Sequence, residues 1–415
     1  MKSSYKNLLL VALSMLLSLF LAEIGTRVIT PMFKKEGAVS PSLEKPTFNV
    51  LIYRPDSQLF WRTKPLTRFK GMDINSKGFR GKEFSAKKSN EIYRIIALGD
   101  SSTLGVGVLN SETYCSILEI FLNRSKNSSR RYEVINGGAA GYSSLQGLRY
   151  LKNDIINYRP DLITIYFGLN DYLYARGQND RDRPQLAPWV IRFDHVMSYS
   201  QFYRLLTGVV SNLINPERKY PPDRRVDLPD FKSNLVQMIA VAREAGAEVI
   251  LLNVPLRPTI PLVVNPIPLR KEGKDGMRLE WLKPAYIGKA NYFIKTEFEG
   301  ATSELEEIVE KYPQWAMAHY LLAKRYEKTR EIEKARTEYQ RAREMDLDRD
   351  VVARYNKAIE EVASAYKIPL VDLVGMFAAK EGEDLFLDER HLSALGHKII
   401  AEGIFSTLKS NGLVD

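Results

Sequence analysis

Tyr93-Arg94-Ile95-Ile96-Ala97-Leu98, followed at once by Gly99-Asp100-Ser101-Ser102-Thr103, is the stretch on which the fold turns. A short apolar, β-branched run that stops at a glycine reads as a buried strand. Three more runs of this kind follow, at 132–135, 162–167 and 248–254, each followed by Gly, Pro or Asn, and a fifth lies at 368–371. Helical patterns separate them at 112–124, 144–158, 231–245 and 351–366, with a last helix at 394–410. Buried strands alternating with amphipathic helices predict an α/β fold in three layers, with a parallel sheet between helices on both faces. In such sheets the chemistry sits beyond the carboxyl ends of the strands.

Those ends carry reactive residue types. Gly99-Asp100-Ser101 follows the first strand, and Asn136-Gly137-Gly138-Ala139-Ala140-Gly141-Tyr142-Ser143 follows the second. Gly168-Leu169-Asn170-Asp171 follows the third, and Asp388-Glu389-Arg390-His391 precedes the last helix. A serine hydroxyl is a weak nucleophile until a base takes its proton. The chain has four histidines, and His391 is the natural base because Asp388, three residues earlier, can hold its ring Nδ1–H. The Ser101 N–H, the Gly141 N–H and the Asn170 amide supply three donors for an oxyanion. A side chain at Gly141 would crowd a substrate. His397 is expected to pack at the start of the last helix, His319 to be structural, and His195 to lie in a surface loop or line a cleft. No histidine pair has metal-ligand spacing, and the chemistry needs neither metal nor cofactor.

The four blocks, in this order, resemble the SGNH hydrolases, also called the GDSL esterase/lipase superfamily. The resemblance implies a flavodoxin-like sheet, catalytic Ser101, Asp388 and His391, and an oxyanion hole from Ser101, Gly141 and Asn170. It makes Gly141 the functional glycine of the second block, with Gly138 the second choice. Gly168 and Asp171 complete the third block; Asp100 is expected to brace the turn, and Asp171 to orient Asn170 or its loop. Ser102 stands where the family usually has Leu.

Around this frame lie segments of other character. Residues 7–22 are uncharged and rich in leucine, behind Lys2 and Lys6, which makes residues 1–29 a signal anchor or a signal peptide. The run is short of the roughly 20 residues of a full span. Residues 30–90 read as a short extended lead-in, with or without a hairpin, carrying turn signals at Asn75-Ser76-Lys77-Gly78 and Arg80-Gly81. The hydrolase domain is assigned to 91–258 and 351–415, interrupted at 259–350 by a helical insert. There Ala301 and Ala335, Leu305 and Tyr339, and Ile308 and Ala342 each stand 34 apart, the period of a tetratricopeptide repeat. The insert is either a docking surface or lid, or a hairpin shielding one edge. Between 172 and 230, Tyr172, Tyr174, Trp189, Phe193, Tyr199, Phe202 and Tyr203 either face the site or form a local core.

Composition narrows the partners less than the motifs do. The 415 residues carry 60 Lys and Arg against 50 Asp and Glu, a net +10. That excess suits an anionic membrane or polysaccharide as well as nucleic acid. The single cysteine, Cys115, excludes an internal disulfide and a cysteine-built zinc site. The expected function is ester hydrolysis through an acyl-enzyme, removing small acyl groups from a glycan or similar ester outside the cytoplasm. An O-acyltransferase with the same triad, or a membrane-anchored scaffold whose helical repeats bind a protein partner, are the alternatives. A nucleic-acid partner is not expected.

Overall fold

The computed structural model describes residues 2–32, 52–124, 130–175, 178–185, 187–197, 199–214, 223–257, 268–273, 276–281, 301–380, 384–388 and 390–414. Helix α1 spans Lys2–Met32. Two hairpins follow, β1 (Tyr53–Asp56) with β2 (Phe60–Thr63), and β3 (Arg68–Phe69) with β4 (Met72–Asp73). Then come β5 (Ile92–Gly99), the single turn α2 (Ser101–Leu104), α3 (Tyr114–Arg124), β6 (Arg131–Gly138), α4 (Ser144–Asn153) and β7 (Leu162–Tyr166). Helices α5 (Pro188–Met197), α6 (Gln201–Ile214) and α7 (Leu228–Glu244) lead to β8 (Glu248–Leu252) and a separate hairpin of β9 (Pro268–Gly273) and β10 (Gly276–Trp281). Three helices, α8 (Ala301–Lys311), α9 (Ala316–Lys328) and α10 (Ile332–Glu344), precede α11 (Leu347–Tyr366), β11 (Leu370–Val371), α12 (Leu373–Ala378) and α13 (Ala394–Ser410).

The central sheet runs β11-β8-β7-β5-β6, with every pair parallel. Counted in chain order, the first strand lies between the second and third, so the connections leave β5 in opposite directions. This is the flavodoxin-like order, and its switch point lies at the ends of β5 and β7. Side chains of Ile95, Ile96, Leu98, Leu162, Ile163, Ile165 and Val249–Leu252 are buried on both faces of the sheet. Helices α3 and α13 pack together on one side, and α4, α7 and α11 on the other.

Several boundaries differ from the sequence expectation. The helix expected over 144–158 stops at Asn153, because Asp154 leaves helical geometry (φ −130°, ψ −55°) and turns its carboxylate to Arg62 at 2.7 Å. A 3₁₀ turn, Ile155–Tyr158, completes the segment. Where it is described, the lead-in is extended strand folded into two hairpins rather than one. Its two hairpins bury Ile52, Tyr53, Met72 and Ile74 against Leu104, with Trp61 and Ala140 at the margin. Asn75 makes the expected turn, its Oδ1 accepting from the N–H groups of Lys77 and Phe79. Arg80 is buried beyond it and donates to the carbonyls of Leu104, Gly105 and Val108, the open end of α2.

Helices α8–α10 enclose a second core of Leu305, Ile308, Trp315, Leu322, Tyr326, Ala335 and Ala342, distinct from the main one. Residues 282–300 of the expected insert lie outside the described residues. Tyr172 and Tyr174 belong to the main core, whereas Trp189, Phe193 and Tyr199 face outward on and after α5. Among the described residues no helix is long and apolar enough to cross a membrane; several side chains of α1 lie outside them.

Arg94 is a large charged side chain wholly enclosed at the foot of the sheet. Its Nε meets Glu133 at 2.7 Å, and its remaining nitrogens donate to the carbonyls of Tyr158 and Ser85. Removing it strands Glu133 and two carbonyls, a class of change that costs about 3–5 kcal/mol. Arg94→Met is therefore expected to lower the unfolding free energy by about 3 kcal/mol or more in a denaturant titration. A loss under 1 kcal/mol would show the network to be dispensable.

Candidate active site

Ser101 opens α2 directly behind β5. The turn that holds it is built by Asp100, whose Oδ1 caps the helix through the Ser102 N–H at 2.8 Å. Close approach is essential here: a Cβ on Gly138 would stand 2.2 Å from the Leu104 nitrogen, so only glycine lets β6 lie against α2. Asn136 completes the seam, donating to the Thr103 carbonyl at 2.8 Å.

His391 reaches Ser101 from the far end of the chain. Its Nε2 lies 3.1 Å from Ser101 Oγ, and its Nδ1 lies 2.6 Å from Asp388 Oδ2. The other Asp388 oxygen accepts from the backbone N–H groups of Arg390 and His391. Partial burial works to raise the Asp388 pKa, but the hydrogen bonds and charge of His391 outweigh it and hold the group down at about 2. The nucleophile, base and orienting carboxylate thus stand in one hydrogen-bonded line. Ser101 exposes 7% of its surface.

The loop after β6 holds Gly141 in a left-handed conformation, φ +77°. Gly138, the second choice, serves instead as the contact with α2. Asn170 follows Gly168 (φ +138°) at the end of β7, and its Nδ2 lies 3.1 Å from both Asp100 Oδ2 and the Tyr142 carbonyl. Its two N–H bonds therefore have protein acceptors, and it joins the serine turn to the glycine loop. Among the described residues Asp171 has no hydrogen bond to Asn170; its Oδ1 takes the Ser144 N–H at 2.8 Å, which ties its own loop to the start of α4.

The remaining histidines keep away from the chemistry. His397 is buried beside Tyr114, whose N–H it accepts through Nδ1 at 3.3 Å; burial and the Arg80 charge push it down to about 3. His319 sits between Glu338 and the Pro313 carbonyl in the second core. The side chain of His195 lies outside the described residues. Among the described residues no group of three or more His, Cys, Asp and Glu is placed to hold a metal ion.

Sequence reasoning missed three supports. Trp61 Nε1 donates to the Ala140 carbonyl at 3.1 Å, Arg225 Nη1 to the Gly141 carbonyl at 2.7 Å, and Arg80 ties down the end of α2. Only turn residues near Arg80 marked any of these segments, and nothing local signals contacts this distant along the chain.

Burial also sets the charge of the inner carboxyls. It raises Asp100 to about 6 and Asp171 to about 7, against backbone hydrogen bonds that pull the other way. Asp171 Oδ2 has no hydrogen-bond partner among the described residues. Between pH 4 and 7 the folded chain keeps a proton on Asp171 that the unfolded chain has released, so the group's contribution to stability falls as pH rises through that window. Asp171→Asn, which stays neutral and still accepts from Ser144, is expected to flatten the fall in unfolding free energy from pH 4 to 7. Equal slopes in variant and wild type would contradict the burial argument.

Residues 97–283 match the model of the GDSL-like lipase/acylhydrolase family. No curated protein matches the chain. Among solved structures, the chain is similar to LAE5, an α/β hydrolase from the metagenome of Lake Arreo, Spain, at 14% identity and TM-score 0.39, over 76% of this chain and 95% of that one. It is similar to the lipase/acylhydrolase of Enterococcus faecalis at 17% identity and TM-score 0.38, over 77% and 96%. It is also similar to a catalytic mutant of Axe2, an acetylxylan esterase from Geobacillus stearothermophilus, at 12% identity and TM-score 0.39, over 76% and 94%. Likeness at this level carries no inference for this chain. The match, on a sheet of flavodoxin-like order, marks residues 97–283 as a GDSL-like lipase/acylhydrolase domain, a domain of carboxylic ester hydrolases.

Proposed function

We propose that the chain is a serine esterase that removes small acyl groups from a glycan or similar ester, held at a membrane by α1 with its catalytic domain outside the cytoplasm. The observation that carries the chemistry is the 3.1 Å contact between Ser101 Oγ and His391 Nε2, with Asp388 behind the ring. Ser101 Oγ attacks the acyl carbon while its proton passes to His391 Nε2. The negative charge on the former carbonyl oxygen is met by the N–H groups of Ser101 and Gly141, with the Asn170 amide beside them. Collapse of this intermediate expels the alcohol, which takes the proton from His391, and leaves the acyl group on Ser101. Water then attacks with His391 as base, releasing the acid and restoring the serine. Asp388, ionised far below neutral pH, stabilises the imidazolium at both stages.

The recessed nucleophile supports a small acyl group. The net charge of +10 supports an anionic polymer or surface as its setting. Attachment is supported by α1 itself. Leu13, Leu17, Leu19, Phe20 and Leu21 are all exposed on it, an arrangement that water disfavours and lipid accepts. Its Glu23 takes the Gln201 and Phe202 N–H groups and the Ser200 hydroxyl, which sets the start of α6 beside the helix.

Activity on p-nitrophenyl acetate tests the chemistry. Ser101→Ala and His391→Ala are each expected to lose about 10³-fold or more in kcat, and p-nitrophenyl octanoate to be a poorer substrate than the acetate. Full activity in Ser101→Ala would overturn the assignment; preference for the octanoate would move the substrate class to lipids. Attachment is tested separately by fractionating cells that express the chain with and without residues 1–32. The full chain is expected with membranes and the shortened one in the soluble fraction, and identical distribution would remove the role given to α1.

A further inference from the structure

We infer that Trp61, in the lead-in outside the family match, is a positioning residue that sets the direction of the Gly141 oxyanion donor. The inference rests on the reading of Gly141 as that donor.

The backbone of the loop 139–143 can be accounted for group by group. The Ala139 N–H donates to the Gly99 carbonyl at 3.0 Å, and the Ala139 carbonyl accepts from Tyr142 at 3.2 Å. The Ala140 N–H donates to Tyr53 Oη at 3.2 Å, and the Ala140 carbonyl accepts from Trp61 Nε1 at 3.1 Å. The carbonyls of Gly141 and Tyr142 accept from Arg225 and Asn170. The Ser143 N–H donates to Gln146 Oε1, and the Ser143 carbonyl accepts from Gly147. Among the described residues this leaves one loop donor without a protein acceptor, the Gly141 N–H. A donor left free in a loop whose other backbone N–H groups are all engaged is available to a ligand oxygen.

Ala139–Tyr142 is a β-turn, closed by the Tyr142 N–H on the Ala139 carbonyl, with Gly141 third at φ +77°. A positive φ at that position belongs to a type II turn; in type I the central peptide faces the opposite way. That central peptide joins Ala140 to Gly141. Because it is planar and trans, its C=O and N–H point in opposite directions. The Trp61 indole holds the carbonyl, and so the Gly141 N–H faces away from the indole. A flip of this one peptide would lose the Trp61 hydrogen bond and turn the donor around. The indole is itself fixed, edge-on to Tyr142 with centroids 5.8 Å apart, while Tyr142 Oη donates to the Trp61 carbonyl at 2.6 Å.

Tyr53 supplies the comparison. It also bonds Ala140, but through the N–H of the preceding peptide, which carries no oxyanion donor. Trp61→Phe and Tyr53→Phe each delete one hydrogen bond to the same residue. With p-nitrophenyl acetate, Trp61→Phe is expected to lower kcat about tenfold or more with KM within twofold, short of the full loss of a donor. Its affinity for a trifluoromethyl ketone, which forms an oxyanion on Ser101, is expected to fall by a similar factor. Tyr53→Phe is expected to hold kcat within about twofold, a bound that separates it from loss of a donor. Trp61→His, which puts a ring N–H in the corresponding place, is expected to regain part of the loss and covers the case in which the Phe variant misfolds. Equal losses in the two Phe variants, or unchanged kcat in a folded Trp61→Phe, would overturn the inference. Ser101→Ala in the same assay separates the two readings: activity there refutes the site, whereas its loss beside a fully active Trp61→Phe refutes only the positioning role.

Discussion

Ser101 and His391 stand 290 positions apart in sequence and 3.1 Å apart in space, and the rest of the molecule answers to that contact. A hydrogen bond of this kind is worth only about 1 kcal/mol in net stability, so it cannot draw the ends together. The sheet does that. β5, an inner strand, presents Ser101 at its carboxyl end, and α13, packed on α3, brings the segment before it to the same edge. Closing a longer loop costs little, about 0.6 kcal/mol per doubling. The chain can therefore carry α5–α6 and α8–α10 between strands without disturbing the meeting. The second core within α8–α10 lets that insert stabilise itself rather than borrow from the first.

The same constraint explains why so much of the lead-in is folded. A nucleophile on a single helical turn has few contacts of its own. Arg80 holds the carbonyl end of α2, Asp100 holds its amino end, and the β1–β2 hairpin presses on the glycine loop across from it. Each support fixes a backbone group rather than a reacting atom. That is what an oxyanion site requires, since its donors must be in place before charge develops.

The strands and the four reactive blocks were legible because each is a local pattern: an apolar run, then a turn with glycine, then a polar side chain at a strand end. The parallel sheet followed from that alternation, whereas its flavodoxin-like order was implied only by the resemblance of the four blocks. The break at Asp154 was not legible, because it depends on Arg62, 92 residues away. Trp61 and Arg225 were not legible for the same reason, lying 79 and 84 residues from the carbonyls they hold. Asn170 shows the converse. Its identity was readable as an amide near the nucleophile, but its engagement with Asp100 and Tyr142 depends on three strand ends meeting.

Three carboxyls crowd this edge of the sheet, and burial gives them different tasks. Asp100 and Asp171 are enclosed, so their charged forms are disfavoured and they act through fixed backbone hydrogen bonds that cap α2 and start α4. Asp388 is half exposed and bonded to His391, which keeps it ionised. Were the charge reversed, with Asp388 protonated and an inner carboxylate ionised, the imidazolium would lose its counterion at the step where it forms. The chemistry therefore depends on exposure as much as on residue type: the carboxylate nearest water is the one able to hold the charge that the histidine needs.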